Sequence, residues 1–148
     1  MKTLLTLIFL LFTTNIFAQK ENIRQLFAER PTLQIKYFID LSETSKRCAA
    51  LYTAYASLTG TDTPERTTIS TELLKKGTPY MEFVAFISEM AMPTTFYKHT
   101  EETFELVNWY IKLITSEYDG KENIIKGEKD TCDLIAATIS PLIKVWKQ

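Results

Sequence analysis

Residues 37–60, YFIDLSETSKRCAALYTAYASLTG, repeat apolar side chains every three or four positions. That spacing places the apolar side chains on one face of an α-helix, and a folded protein buries such a face. The helix can extend back to Pro31, because proline is tolerated in the first turn of a helix. Gly60 stands where helices commonly end. The sequence therefore predicts a long helix over Pro31–Leu58. Its buried stripe comprises Tyr37, Phe38, Leu41, Cys48, Leu51, Tyr52, Tyr55 and Leu58.

The middle of this stretch is less apolar than its ends. Ser42 and Ser45 thin the stripe there, and Asp40 with Glu43 could form a capping box that starts a second helix. One uninterrupted helix is the prediction, with two shorter helices as the alternative.

Two further helix starts follow Gly60. Thr63-Pro64-Glu65 combines a capping hydroxyl, a proline in the first position and an acid in the first turn, and Thr78-Pro79 repeats the signal. The first start predicts a surface helix over residues 64–76 that Gly77 ends. The second predicts a helix over residues 79–92, which is apolar over more than half its circumference and is the best candidate for a central position.

The rest of the chain predicts two more helices. The first follows Pro93 and runs to about Tyr118, and the second spans about Asp130–Trp146, with a charged connection over Lys121–Lys129 between them. Four glycines and five prolines in 148 residues are too few for the turns of an all-β protein. We therefore expect an all-α, single-domain bundle of four or five helices over residues 19–148.

The first eighteen residues resemble an export signal. Lys2 supplies a positive start, residues 4–12 are almost entirely apolar, and Ala18 stands where cleavage is expected. A membrane-spanning helix needs about 20 apolar residues, which this run does not supply, and a buried helix rarely lies beside a lone lysine at an N-terminus. The prediction is a signal peptide over residues 1–18 and a periplasmic or secreted protein.

Cysteine usage agrees with export. Cys48 and Cys132 are the two cysteines, and both fall on apolar stripes of predicted helices. In an oxidising compartment two such residues usually form a disulfide, whereas a catalytic redox pair would show a Cys-x-x-Cys motif, which is missing here. We therefore predict a structural Cys48–Cys132 bridge.

Charge excludes some classes of partner. The chain has 17 basic and 18 acidic residues, a net charge of −1. No basic excess exists to bind a nucleic-acid backbone or an anionic membrane. Nucleic acid is not an expected partner, and stable membrane insertion is not expected once the signal is removed.

His99, the single histidine, heads the one pattern with metal-ligand spacing. His99, Glu102 and Glu105 stand three residues apart, so they share a helix face. They could form a metal site or a general base with carboxylate partners. The simpler interpretation is a solvated helix start, where acids favour the positive end of the helix dipole. We predict no metal ion, no cofactor and no catalytic residue.

Tyrosines provide the candidate binding residues. Because tyrosine is amphipathic, a set of them can line a groove for a ligand or partner, although their helical spacing also suits packing in the core. The functional prediction is a non-catalytic binding protein for another protein or a small molecule. The candidate groove residues are Tyr52, Tyr55, Tyr80, Tyr97 and Tyr110.

Two other classes of function stay open from the sequence. One is a stress or chaperone-like envelope protein, which would expose apolar helix faces in acid as its carboxylates become protonated. The other is an enzyme that uses His99 with Glu102 or Glu105.

Overall fold

A computed structural model describes residues 31–91 and 96–147 of the chain. Within these ranges the side chains of residues 31–36, 90–91, 96–97 and 145–146 lie outside the description. The predicted signal peptide, residues 1–18, also lies outside the described residues.

The described residues form four α-helices and no β-strand, which confirms the all-α fold class. The helices are α1 (Pro31–Thr59), α2 (Pro64–Ala91), α3 (Phe96–Thr115) and α4 (Lys121–Trp146). α1 packs against all three other helices, most extensively against α2. Across the described ranges, no helix combines the length and the apolar character that crossing a membrane requires.

α1 is one uninterrupted helix, as predicted, and it ends at the predicted glycine. Gly60 has a φ of +73°, a backbone conformation that side chains disfavour and that commonly ends helices. Thr63 then caps α2, because its hydroxyl oxygen accepts a hydrogen bond from the Arg66 N–H at 3.2 Å. The break between the first two helices therefore follows from local chemistry.

α2 corrects the prediction of two helices separated at Gly77. The helix continues through both Gly77 and Pro79. Gly77 is buried against α1, and a Cβ atom added there would lie 3.3 Å from the Cβ of Tyr52 and 3.5 Å from the carbonyl oxygen of Ala49. The glycine therefore allows α1 and α2 to approach closely and does not end a helix.

Pro79 lies inside α2 despite lacking an N–H group. An interior proline costs about 3 kcal/mol because it removes a backbone hydrogen bond and crowds the preceding turn. The residues that follow it recover more than this, since full burial of each large apolar side chain contributes about 1.5–3 kcal/mol. The buried side chains after the proline are Tyr80, Phe83, Val84, Phe86 and Ile87. Tertiary packing therefore keeps the helix continuous.

The second half of the chain also departs from the prediction at two boundaries. α3 ends at Thr115, and Tyr118 lies in the following turn. Residues 121–129 are not a connection but the first turns of α4, so the expected start at Asp130 is wrong. Ile125 is buried and extends the apolar stripe that continues through Cys132 and Ile135. This stripe packs the charged segment against the bundle and explains its helical structure.

The core lies where α1 meets the second half of α2 and the inner faces of α3 and α4. Cys48 and Cys132 are fully buried there and form the predicted disulfide, with Cα atoms 5.5 Å apart. The bridge joins α1 to α4 across 84 positions of sequence. Leu51, Phe83 and Ile87 belong to the same hydrophobic cluster as the two cysteines.

Candidate functional site

The structure places the predicted groove tyrosines mainly in the core. The rings of Tyr52 and Tyr80 are stacked, with centroids 6.0 Å apart, and both side chains are buried. The Tyr80 hydroxyl donates to the carbonyl oxygen of Cys132 at 2.9 Å. These two tyrosines therefore brace α1 and α2 beside the disulfide.

Tyr110 takes part in a second buried contact. Its hydroxyl donates to Glu128 Oε2 at 2.9 Å, and Arg47 donates to the other oxygen of the same carboxylate. Tyr55 is partly buried, and the ammonium of Lys129 lies 4.5 Å from its ring centroid. The side chain of Tyr97 lies outside the described part of α3. The four described tyrosines therefore contact residues of neighbouring helices.

Burial raises the pKa of three of these tyrosines. For Tyr80 the pKa rises to about 12, chiefly through loss of solvation, with added repulsion from Tyr52 and Asp133. The pKa of Tyr52 rises for the same main reason, with Asp133 contributing. The pKa of Tyr110 also rises through burial, against the opposing effect of Arg47. The neutral phenol is therefore the form that the folded core favours.

An apolar groove lies on another surface, between α1 and α2 near the end of α4. Its volume is about 560 Å³, within the range of about 300–1,000 Å³ that is typical of small-molecule sites. None of the four tyrosines described above contributes to it. The lining residues are Ala49, Thr53, Leu74, Gly77, Thr78, Met81, Glu82, Ala85 and Lys147.

The polar groups of this groove differ in whether they have a hydrogen-bond donor left for a ligand. The hydroxyl of Thr53 donates to the Ala49 carbonyl at 2.8 Å, and that of Thr78 donates to the Leu74 carbonyl at 2.9 Å. Neither hydroxyl proton is left for a ligand. Lys147 pairs with Glu82 at 2.6 Å and is 52% exposed. Because an ammonium has three donors, Lys147 can bind a further acceptor at the rim of the groove.

A cluster of charged residues connects α1 and α3 on a different side of the bundle. Lys46, only 2% exposed, donates to Glu102 Oε2 and lies 2.7 Å from Glu43 Oε2. The hydrogen bond from Lys46 lowers the pKa of Glu102 against the opposing effect of partial burial. His99 Nδ1 lies 3.6 Å from Glu102 Oε2. Two carboxylates, a histidine and a buried ammonium thus meet at one point.

This cluster corrects the sequence interpretation of residues 99–105. A solvated helix start is wrong for His99, which is only 7% exposed, although Glu105 is exposed as expected. The carboxylate that joins His99 and Glu102 is Glu43 of α1 and not Glu105. Glu105 lines the adjacent space of about 410 Å³ together with Trp109.

Lys46 and Glu43 are site residues that the sequence pattern did not predict. The three-residue spacing from Glu43 to Lys46 is a local signal for an ion pair on a helix, but it occurs often on solvated faces. What distinguishes this pair is its position opposite Glu102, a contact across 56 positions of sequence.

Comparisons with protein-family models, curated proteins and solved structures find no match to this chain.

Proposed function

We propose that the protein is a non-catalytic binding protein whose ligand is a small, largely apolar molecule with an anionic end. The groove between α1 and α2 carries this proposal. Its volume of about 560 Å³ suits a small molecule. Its described walls consist mainly of alanine, glycine, leucine and methionine residues. The two threonines in the walls donate their hydroxyl protons to backbone carbonyls.

Lys147 is the residue that would bind an anionic end of the ligand. It is the cation at the rim of the groove, and half of its side chain is exposed while it contacts Glu82. A carboxylate or sulfonate of the ligand would accept a charge-assisted hydrogen bond there, while its apolar body lies along Leu74 and Met81. Three of the five predicted groove tyrosines, Tyr52, Tyr80 and Tyr110, are buried, so we place the ligand in this groove.

Anilinonaphthalene sulfonate is a suitable probe because it has an apolar body and an anionic end. At neutral pH we expect a saturable rise in dye fluorescence with one dye per chain. Ala85→Phe fills the groove and should weaken binding at least about tenfold, which corresponds to about 1.4 kcal/mol. Lys147→Gln should weaken it less, since the apolar contacts remain.

Ala137→Phe is the matched control for Ala85→Phe, because Ala137 is exposed on α4 and does not line the groove. It should bind dye as the unmodified protein does. Equal affinities for the two phenylalanine variants would contradict the proposal. So would dye binding that appears only in acid, because that behaviour indicates the stress-type protein that exposes apolar faces on expansion.

We also infer that the protein acts after export. Residues 4–12 have the apolar character of a signal peptide, and the buried Cys48–Cys132 bridge is compatible with an oxidising compartment. The intact mass of the protein from the periplasm or medium should correspond to residues 19–148, with no thiol alkylated unless a reductant is added. Full-length cytosolic protein with two free thiols would contradict this inference.

A further inference from the structure

The cluster between α1 and α3 contains three groups with the chemistry of metal ligands. One ligand atom each from Glu43, His99 and Glu102 lies within 4.8 Å of the others. Two carboxylates and one imidazole suit divalent transition metals such as zinc, with a fourth coordination position open. Acidic clusters are common without a metal, so this proximity alone would not identify a site.

A second and independent observation comes from His99. Its side chain is 8% exposed, and within the described residues its Nδ1 atom finds no hydrogen-bond partner. A buried polar atom without a partner costs about 1–3 kcal/mol and calls for an explanation. The atom points toward Glu102, whose nearer oxygen is 3.6 Å away, too far for a hydrogen bond. A metal ion between them would give His99 Nδ1 the partner that it lacks.

The separation of these two atoms fits such an ion. Zinc lies about 2.0–2.2 Å from nitrogen and carboxylate ligands in tetrahedral sites, which puts two ligand atoms about 3.4 Å apart. The observed 3.6 Å is close to that value. Glu43 and Glu102 are partly exposed, so their carboxylates can adjust to a bound ion while His99 stays fixed by burial.

The ammonium of Lys46 would compete with a metal ion for the carboxylates of Glu43 and Glu102. Its ammonium contacts both carboxylates and therefore supplies the positive charge that a metal would otherwise bring. A bound ion must move the ammonium away. The space beside the cluster, which Lys46 itself lines, leaves room for the displaced ammonium.

We propose that Glu43, His99 and Glu102 bind one divalent transition-metal ion, such as zinc, in exchange for the ammonium of Lys46. Binding then breaks the Lys46–Glu102 ion pair that joins α1 to α3 and replaces it with metal–ligand bonds between the same helices. Metal occupancy and the position of Lys46 are thereby coupled.

The test is titration of the tag-free protein with Zn²⁺ by calorimetry and with Co²⁺ by visible absorption. We expect one ion per chain and cobalt bands that indicate nitrogen and oxygen ligands. Glu43→Gln should weaken binding more than about tenfold, since even outer-shell partners contribute about 10–100-fold to metal affinity. Lys46→Met removes the competing ammonium and should strengthen binding.

Glu105→Gln is the matched control, because Glu105 lies beside the cluster and outside the ligand set. It should retain unmodified affinity, and circular dichroism should show that each variant is folded. Equal effects of Glu43→Gln and Glu105→Gln would overturn the proposal. No binding by the unmodified protein would also overturn it, even where Lys46→Met binds, since the natural chain would then keep its lysine in the metal position.

Discussion

Replacing Cys48 and Cys132 together by alanine lowers the free energy of unfolding by about 4–5 kcal/mol, the largest effect that we expect from any pair of substitutions here. The bridge spans 84 positions of sequence, so its loss releases a long loop in the unfolded chain. Because a domain of this size has about 5–15 kcal/mol of stability in total, the variant should be close to unfolding. Urea denaturation at neutral pH, followed by circular dichroism, measures the difference.

Two controls separate the crosslink from the packing of two small buried residues. Unmodified protein denatured with a reductant present should approach the stability of the double variant. Ser42→Ala removes a buried hydroxyl from the same helix as Cys48. This hydroxyl has no hydrogen-bond partner among the described residues, and its removal should change the free energy of unfolding by less than about 1 kcal/mol. A loss below about 1 kcal/mol for the double cysteine variant would contradict the role assigned to the bridge.

The disulfide and α1 could be predicted because each rests on a pattern that the sequence shows directly. The three- and four-residue spacing from Tyr37 to Leu58 indicates one buried face, and Gly60 supplies the backbone conformation that ends the helix. The pairing of Cys48 with Cys132 needed only that both apolar faces line one core. Local and long-range signals agree at these positions.

The errors occur where tertiary packing overrides a local signal. Gly77 and Pro79 are a standard helix stop and start, yet the glycine allows close packing against Tyr52, and the proline precedes a strongly buried segment. The charge of residues 121–129 predicts a connection, but Ile125 is buried and Glu128 is partly buried against the bundle. Neither contact can be derived from spacing along the chain.

The candidate sites also depend on contacts between helices that spacing along the chain does not predict. The sequence singled out His99 and Glu102 correctly as neighbours on one helix face, but their third partner comes from α1. Glu43 joins them through packing of α1 on α3, which a single sequence does not specify. The groove has the same origin, because its walls belong to α1, α2 and the end of α4.

The tyrosines lead to the second large expected effect, a loss of stability in alkali. An unfolded tyrosine has a pKa of about 10, whereas burial raises the pKa of Tyr80 to about 12. Between these values the unfolded chain releases a proton that the folded chain retains, so the free energy of unfolding falls as the pH rises. The difference of about two pH units, at about 1.4 kcal/mol per unit, sets an upper limit of about 3 kcal/mol on this fall.

Urea denaturation at a series of pH values from neutral to strongly alkaline measures this loss, and tyrosinate absorbance follows the ionisation directly. Tyr52 and Tyr110 act in the same direction, because their pKa values are also raised by burial. The stabilising contribution of all three phenols is complete below pH about 10 and is lost as the pH rises through their folded pKa values.

Tyr80→Phe isolates the largest contribution. The variant loses the hydrogen bond to the Cys132 carbonyl and should be about 1 kcal/mol less stable at neutral pH. Its stability should then decline less steeply in alkali, so that the two stability curves cross between about pH 10 and 12 and the variant becomes the more stable protein. Tyr118→Phe is the control, because Tyr118 is 59% exposed and should leave the profile unchanged. An alkaline decline equally steep in Tyr80→Phe and the unmodified protein would show that burial of this phenol does not govern the transition.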